Sequence, residues 1–376
     1  MRRPDLFDRL PEHYFTRILG AAAAARAQPG PRLIDLGRGN PDLPPPDVAL
    51  DALRAGLEET RGMHGYPPFQ GRPELREAIA ERYRIDHGVT LDPDREVAVV
   101  PGTKTGIMLA VLACAGEGDA VALPDPGYPD YPSGVAFAGA RTVALPLDPS
   151  AGWQPDFDAL GGERPALTVV NYPSNPCATC EAPGTFEAAV AWARERDSWL
   201  LNDLAYGFLA FDGRRARSVL EIEGAREVAI ELWSPSKIYG MAGWRVGFAV
   251  GNAELVGRIR ELLDHLVAGV PVALQFGLVA ALTGDQGHVR ERFEVYRRRR
   301  DLLVGRLGIT APEGTFYAWW RPPEGLTAER LLSEHRVAVA PGEGFGARGA
   351  GHVRLSLALD DDDLDEGTRR LAAALR

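Results

Sequence analysis

The sequence predicts an α/β fold: a mostly parallel sheet covered by helices, joined to a smaller α+β region. Three observations carry this expectation. Short apolar runs recur through the first three quarters of the chain, separated by helical patterns. Several of these runs are apolar throughout, as in strands buried on both faces. After Leu282 the pattern changes to one long charged helix followed by short strands, which is the order of a separate α+β unit.

Taken in order, GNPDLPPPDV (39–48) is a proline-rich crossing from an N-terminal arm into the first long helix. PELREAIAERY (73–83) places Leu75, Ile79 and Tyr83 on one helical face. Strands are expected at EVAVV (96–100), AVALP (120–124), ALTVVNYP (166–173), SWLLND (198–203), VAIELWS (228–234) and RVGFAVG (245–251). The remaining strand candidates are GTFYAWW, VAVAPGEGFG and HVRLSLAL. The expected division is a large domain over 46–282 and a small one built from 1–45 and 283–376. The alanine run 21–25 reads as a helix end, and the aspartates 360–363 as the start of the last helix, where they complement its dipole. RRRR (297–300) reads as the solvated face of a helix.

Composition excludes several function classes. The 376 residues are 45% hydrophobic and 25% charged, ordinary values for a globular protein. A net charge of −10 disfavours nucleic acid or an anionic membrane as partner. No apolar run approaches the roughly 20 residues needed to span a bilayer. Asp5, Asp8, Arg9, Glu12 and Arg17 interrupt any export signal in the arm. Three cysteines give no disulfide framework, so a reduced cytoplasmic location is expected. His64, His265 and His352 have no cluster partner at ligand spacing, and no metal is expected.

In open α/β sheets ligands sit beyond the carboxyl ends of the strands. Four strands end in PGTKTG, NYPSNPCATC, NDLAY and SPSKIYGMAGWR. Lys237 in the last lies among Ser234, Ser236, a Gly-rich turn and Arg245; a lysine desolvated beside another cation loses its proton and becomes a nucleophile. Cys177 and Cys180 admit a second reading of their turn, as a C-x-x-C redox or zinc pair.

SPSKIYGMAGWRVGF resembles the cofactor-lysine signature of the class I/II pyridoxal-phosphate aminotransferases of fold type I. GNPD, GYPPFQGRPELREAI, PGTKTG, PDPGYPDY, NYPSNP, NDLAY, GTFYAW, APGEGFG and VRLSLAL follow in family order over nearly the whole chain. The subgroup most similar contains the LL-diaminopimelate, alanine and aspartate aminotransferases, although SPSKIYG stands where SLSKTYN is usual. Singly, Asp203 reads equally as a helix cap, Tyr128 and Tyr66 as ordinary aromatics, and Arg354 as half of an ion pair. The ordered combination carries the resemblance.

The resemblance implies roles residue by residue. Lys237 would carry pyridoxal phosphate and, once displaced, move the proton between the substrate Cα and the cofactor. Asp203 would keep the pyridine nitrogen protonated, while Tyr206 and Asn175 would hydrogen-bond the ring's phenolic oxygen. Gly102, Thr103, Lys104, Ser234, Ser236 and Arg245 would surround the phosphate, and Tyr128 would stack on the ring. Tyr66 would reach the phosphate of a neighbouring subunit in a homodimer. Arg354, with Gly39, would hold the substrate α-carboxylate, and Asn175 would also belong to the substrate site. The implied reaction moves an amino group from an amino acid to a 2-oxo acid. A C–S β-lyase would use the same residues, and a ligand-sensing regulator is the third reading, disfavoured by the acidic charge and the absence of a DNA-binding extension before residue 31. At the turn, Cys177 and Ala178 replace the family's Thr-Gly, so the cysteines read as bystanders and an alanine is strained there if φ is positive.

Overall fold

The computed structural model describes residues 3–58 and 64–376. Its strands are β1 (Ile34–Asp35), β2 (Val97–Val100), β3 (Ala120–Asp125), β4 (Arg141–Asp148), β5 (Gln154–Pro155), β6 (Leu167–Val170) and β7 (Trp199–Asp203). They continue with β8 (Ala229–Trp233), β9 (Gly247–Gly251), β10 (Tyr317–Trp320), β11 (Val337–Ala338), β12 (Ala340–Pro341) and β13 (Val353–Ser356).

Eight strands form one sheet in the order β2-β9-β8-β7-β6-β3-β4-β5. The pairs from β8 through β7, β6 and β3 to β4 are parallel, whereas β9 runs antiparallel to both of its neighbours. All six expected strands of this region are present. The sequence reading missed β4, whose first half is exposed and whose pattern mixes threonine, alanine and proline.

Apolar residues fill both faces because successive side chains point to opposite sides. Val97 and Val99 belong to one core cluster, and Ala98 and Val100 to the other. Leu200 and Leu201 divide in the same way. Pro73–His87 forms the expected helix, with Pro73 in its first turn and Gly88 at φ +68° closing it.

The C-terminal segment builds a three-stranded sheet, β10-β13-β12, in which Arg354 is the register partner of Trp319 and of Ala340. The arm returns to this region, since β1 pairs in parallel with β11. Asp360 caps the last helix, Asp361–Ala374, by accepting from the Asp363 N–H at 2.8 Å.

The arginine run is not a solvated face. It lies in the helix Gly287–Leu307, and Arg299 and Arg300 are buried. Arg299 is bound by Asp42 at 2.8 Å and Asp361 at 2.7 Å, and Arg300 by Asp212 at 2.7 Å. Burial is tolerated because each guanidinium finds carboxylates contributed by distant segments.

Helix Val272–Thr283 packs closely on Asp47–Glu58 through Gly277, where an added Cβ would lie 2.5 Å from Trp244 and 2.9 Å from the Ala49 carbonyl. Gly277→Val is therefore expected to cost about 2 kcal/mol or more through overpacking. Thermal unfolding checks this, with an exposed glycine such as Gly257, which has open space around it, as the control.

Candidate active site

The carboxyl ends of β6, β7 and β8 and the first turn of the helix after β2 converge on a cavity of about 320 Å³. Eleven of the expected residues line it: Gly39, Thr103, Lys104, Tyr128, Asn175, Asp203, Tyr206, Ser236, Lys237, Arg245 and Arg354. Gly102 and Ser234 do not line it, but each contacts a residue that does, Arg245 and Ser236 respectively. Tyr66 does not line it; that side chain is 87% exposed.

Asp203 ends β7 inside the core. Its carboxylate accepts from the Tyr131 hydroxyl at 2.9 Å and the Ala205 N–H at 3.2 Å. Burial pushes its carboxyl above the usual range, while these bonds and the Lys237 charge pull it back down. Burial likewise lowers the pKa of the Lys237 amine, helped by Arg354 and Arg245 and opposed by Tyr317 and Asp203. The Lys237 Nζ lies 5.5 Å from the Tyr206 ring centre and 5.7 Å from that of Phe316.

The helix Thr103–Cys114 begins at Gly102, with φ +78° and no side chain capping its free N–H groups. Arg245, itself at φ +52°, lays its guanidinium against this start: a Cβ on Gly102 would stand 2.4 Å from Nη2. The antiparallel pairing of β2 with β9 brings the two together, since Val100 is the register partner of Gly247. The Ser234 hydroxyl accepts from the Ser236 N–H at 3.1 Å, shaping the turn just before Lys237. Lys104 points elsewhere, pairing with the buried Asp130 at 2.9 Å, and Asp130 also accepts from the Tyr128 hydroxyl at 2.7 Å.

Arg354 is 1% exposed. It donates to the Asn175 side-chain oxygen at 2.7 Å and to the Gly37 carbonyl at 3.2 Å, while its Nε has no partner. Its guanidinium carbon lies 3.8 Å from the centre of the Tyr317 ring. The Tyr317 hydroxyl, in turn, accepts from that of Tyr206 at 3.2 Å and occupies the space a side chain at Gly39 would need.

Three residues that build this arrangement escaped the sequence reading. Asn171, four positions before Asn175, accepts from the Asn175 N–H at 2.8 Å and donates to the Asp203 carbonyl at 2.6 Å, tying the turn to the strand end. Tyr131 and Tyr317 are the others. All three lie in motifs already singled out, but their partners are 32 or more residues away in sequence and no local spacing reveals them.

The C-x-x-C reading loses its chemistry here. Cys177 and Cys180 are buried and unbonded to each other; burial pushes both thiols up, that of Cys180 to about 12. Ala178 has φ +58°, so the alanine does sit in the left-handed region. Its carbonyl accepts from the N–H groups of Glu313 and Gly314 at 2.8 and 3.1 Å, which hold the turn in place. Ala178→Val, adding a branched side chain at a buried left-handed position, is expected to lower stability by about 2 kcal/mol or more. Ala178→Gly is expected to stay within about 1 kcal/mol of the parent, because relieved strain offsets lost packing. Denaturant unfolding of both variants provides the check.

Comparison with known proteins gives a consistent set of relatives. Residues 31–371 match the family model described as aminotransferase class I and II. The chain is 38% identical to an LL-diaminopimelate aminotransferase of Dehalococcoides mccartyi, covering 99% of this chain and 98% of that one. It is 37% identical to the L-glutamine--4-(methylsulfanyl)-2-oxobutanoate aminotransferase of Bacillus subtilis, covering 96% and 94%. Substrate-bound BacF from Bacillus subtilis superposes with a TM-score of 0.92 at 35% identity, over 100% of this chain and 98% of that one.

Proposed function

The chain belongs to the class I and II aminotransferases, and from that premise we propose how its residues carry the reaction. It is a pyridoxal-phosphate-dependent enzyme that moves an amino group from an amino acid to a 2-oxo acid. One observation supports the residue assignment above the others: half-buried Lys237 and buried Asp203 share a cavity with the helix start against which Arg245 lies.

These residues fit the cofactor at both ends. The cradle at Gly102, which a Cβ would fill, would let the N–H groups of Thr103 and Lys104 and the Arg245 guanidinium hold a phosphate, to which Ser234 and Ser236 would add hydroxyls. Because Asp130 engages its ammonium, Lys104 acts through its backbone. At the other end the Asp203 carboxylate, fixed by Tyr131 and the Ala205 N–H, matches a protonated ring nitrogen. Between them Tyr128 would stack on the ring, and the Tyr206 hydroxyl and Asn175 amide would hydrogen-bond its phenolic oxygen.

Bound pyridoxal phosphate supplies an electron sink that acidifies the substrate Cα–H. The chain's residues do the rest. Lys237, its amine pKa lowered by burial, would tether the cofactor and would take the proton from the substrate Cα. Arg354, its plane set by the Tyr317 ring, holds the α-carboxylate with the Gly39 backbone alongside.

The exposed Tyr66 suits a tyrosine that completes the site of a second subunit, and the working form is a homodimer. Residues 46–282 form the cofactor-bearing domain, with 1–45 and 283–376 as the smaller one. Three unpaired thiols suit the cytoplasm. Among the described residues no helix is long and apolar enough to cross a membrane.

A spectral half-reaction screen of the holoenzyme against a panel of amino acids tests this reading. The expected result is pyridoxamine phosphate and a 2-oxo acid; pyruvate with thiol release would instead mark a β-lyase. Lys237→Ala is expected to lose both the visible absorbance of the holoenzyme and turnover, and a variant retaining both would overturn the assignment. For Asp203→Asn, cofactor is expected to stay bound while single-turnover proton transfer slows about 10²- to 10³-fold; an unchanged rate would remove Asp203 from its role.

A further inference from the structure

The cavity also holds a cation that none of these roles uses. Arg38 lines it, is exposed, and makes no hydrogen bond or ion pair with any described residue. Its backbone is pinned on both sides. The Gly37 carbonyl accepts from Arg354 at 3.2 Å, and Gly39 leaves no room for a Cβ beside the Tyr317 hydroxyl. The backbone of Arg38 is therefore held between two residues that contact Arg354 or Tyr317, while its exposed side chain lines the cavity unbound by any described residue.

The other charges in the lining are committed. Asp35 is bound by Arg26 at 2.8 Å and by the Gly37 N–H at 3.1 Å. Asp203 is held by Tyr131 and Ala205, and Lys104 by Asp130. What the lining leaves open to a substrate side chain is one cation and an apolar wall. That wall is Phe15, Ile18 and Leu19, presented by the helix Tyr14–Arg26, with the Phe15 ring centre 5.7 Å from the Arg354 guanidinium carbon. Among the described residues of this chain, no lining carboxylate is free to receive a distal ammonium.

An aminotransferase passes two different substrates through one cavity, so the same walls must serve both. We infer that Arg38 is the specificity-determining residue for the dicarboxylic member of the pair. Its guanidinium takes the distal carboxylate of an acidic amino acid or its 2-oxo acid. Phe15, Ile18 and Leu19 cover the methylene stem, or an apolar side chain when the other member of the pair is bound. A substrate ending in an ammonium meets Arg38 without a compensating anion and is disfavoured. This inference rests on Arg354 holding the α-carboxylate.

The test uses holoenzyme and compares half-reactions with L-glutamate, L-methionine and L-lysine in the parent, Arg38→Gln and Arg38→Lys. The parent is expected to react with glutamate and methionine and poorly with lysine. In Arg38→Gln the ratio of kcat/KM for glutamate over methionine is expected to fall about 10- to 100-fold, through KM for glutamate, with Arg38→Lys recovering part of it. Added salt should raise KM for glutamate in the parent and much less so in Arg38→Gln, since the pairing is exposed. A glutamate-to-methionine ratio unchanged within about threefold in Arg38→Gln overturns the role of Arg38 while leaving the reading of the site intact. A parent that reacts with methionine but not glutamate does the same. No half-reaction with any of the three would overturn that reading and this inference together.

Discussion

Arg354 stays buried only because three segments far apart in the sequence supply what its guanidinium needs. The turn after β6 gives the Asn175 oxygen, the N-terminal arm gives the Gly37 carbonyl, and β10 gives the face of Tyr317. A buried charge without such partners would be costly enough to unfold its surroundings. These contacts consequently fix the C-terminal sheet and the arm against the large sheet, and they do so at the wall of the cavity, which Arg354 also lines.

Desolvation is the second constraint, and it acts with opposite signs on the two groups that share it. It raises the pKa of Asp203 and lowers that of Lys237, so both are biased toward their uncharged forms until a cofactor arrives. Each counters part of the other's shift by electrostatic attraction.

Much of this was legible in the sequence because the informative residues lie at strand ends, where local pattern and chemistry coincide. The six buried strands around the site were readable as apolar runs, and Lys237, Asp203, Asn175, Arg245 and Arg354 stood out in ordered motifs. What escaped notice shares one cause: its meaning depends on a partner distant in sequence. Tyr131 matters through Asp203, Asn171 through the Asp203 carbonyl, and Tyr317 through Arg354. The arginine run misled for the same reason. Helical spacing marks which face Arg299 and Arg300 share with their neighbours, but not that Asp42, Asp361 and Asp212 come across to meet it. The left-handed turn at Ala178 was the converse case, because a single substitution in a known motif raised a conformational question that one φ angle answered.

The arm helix carries one further consequence. His13, at its start, receives the Thr16 N–H at 3.3 Å and contacts Asp130 at 3.3 Å, the same carboxylate that binds Tyr128 and Lys104. The helix is thus registered to Tyr128 of the cavity lining at one end, while Phe15, Ile18 and Leu19 line the same cavity. None of these three supplies a group that moves a proton. Inheritance can vary them one at a time without rebuilding the machinery around Lys237. Diversification of substrate range in such a scaffold is then a matter of editing one helical wall, with the chemistry handed down unaltered behind it.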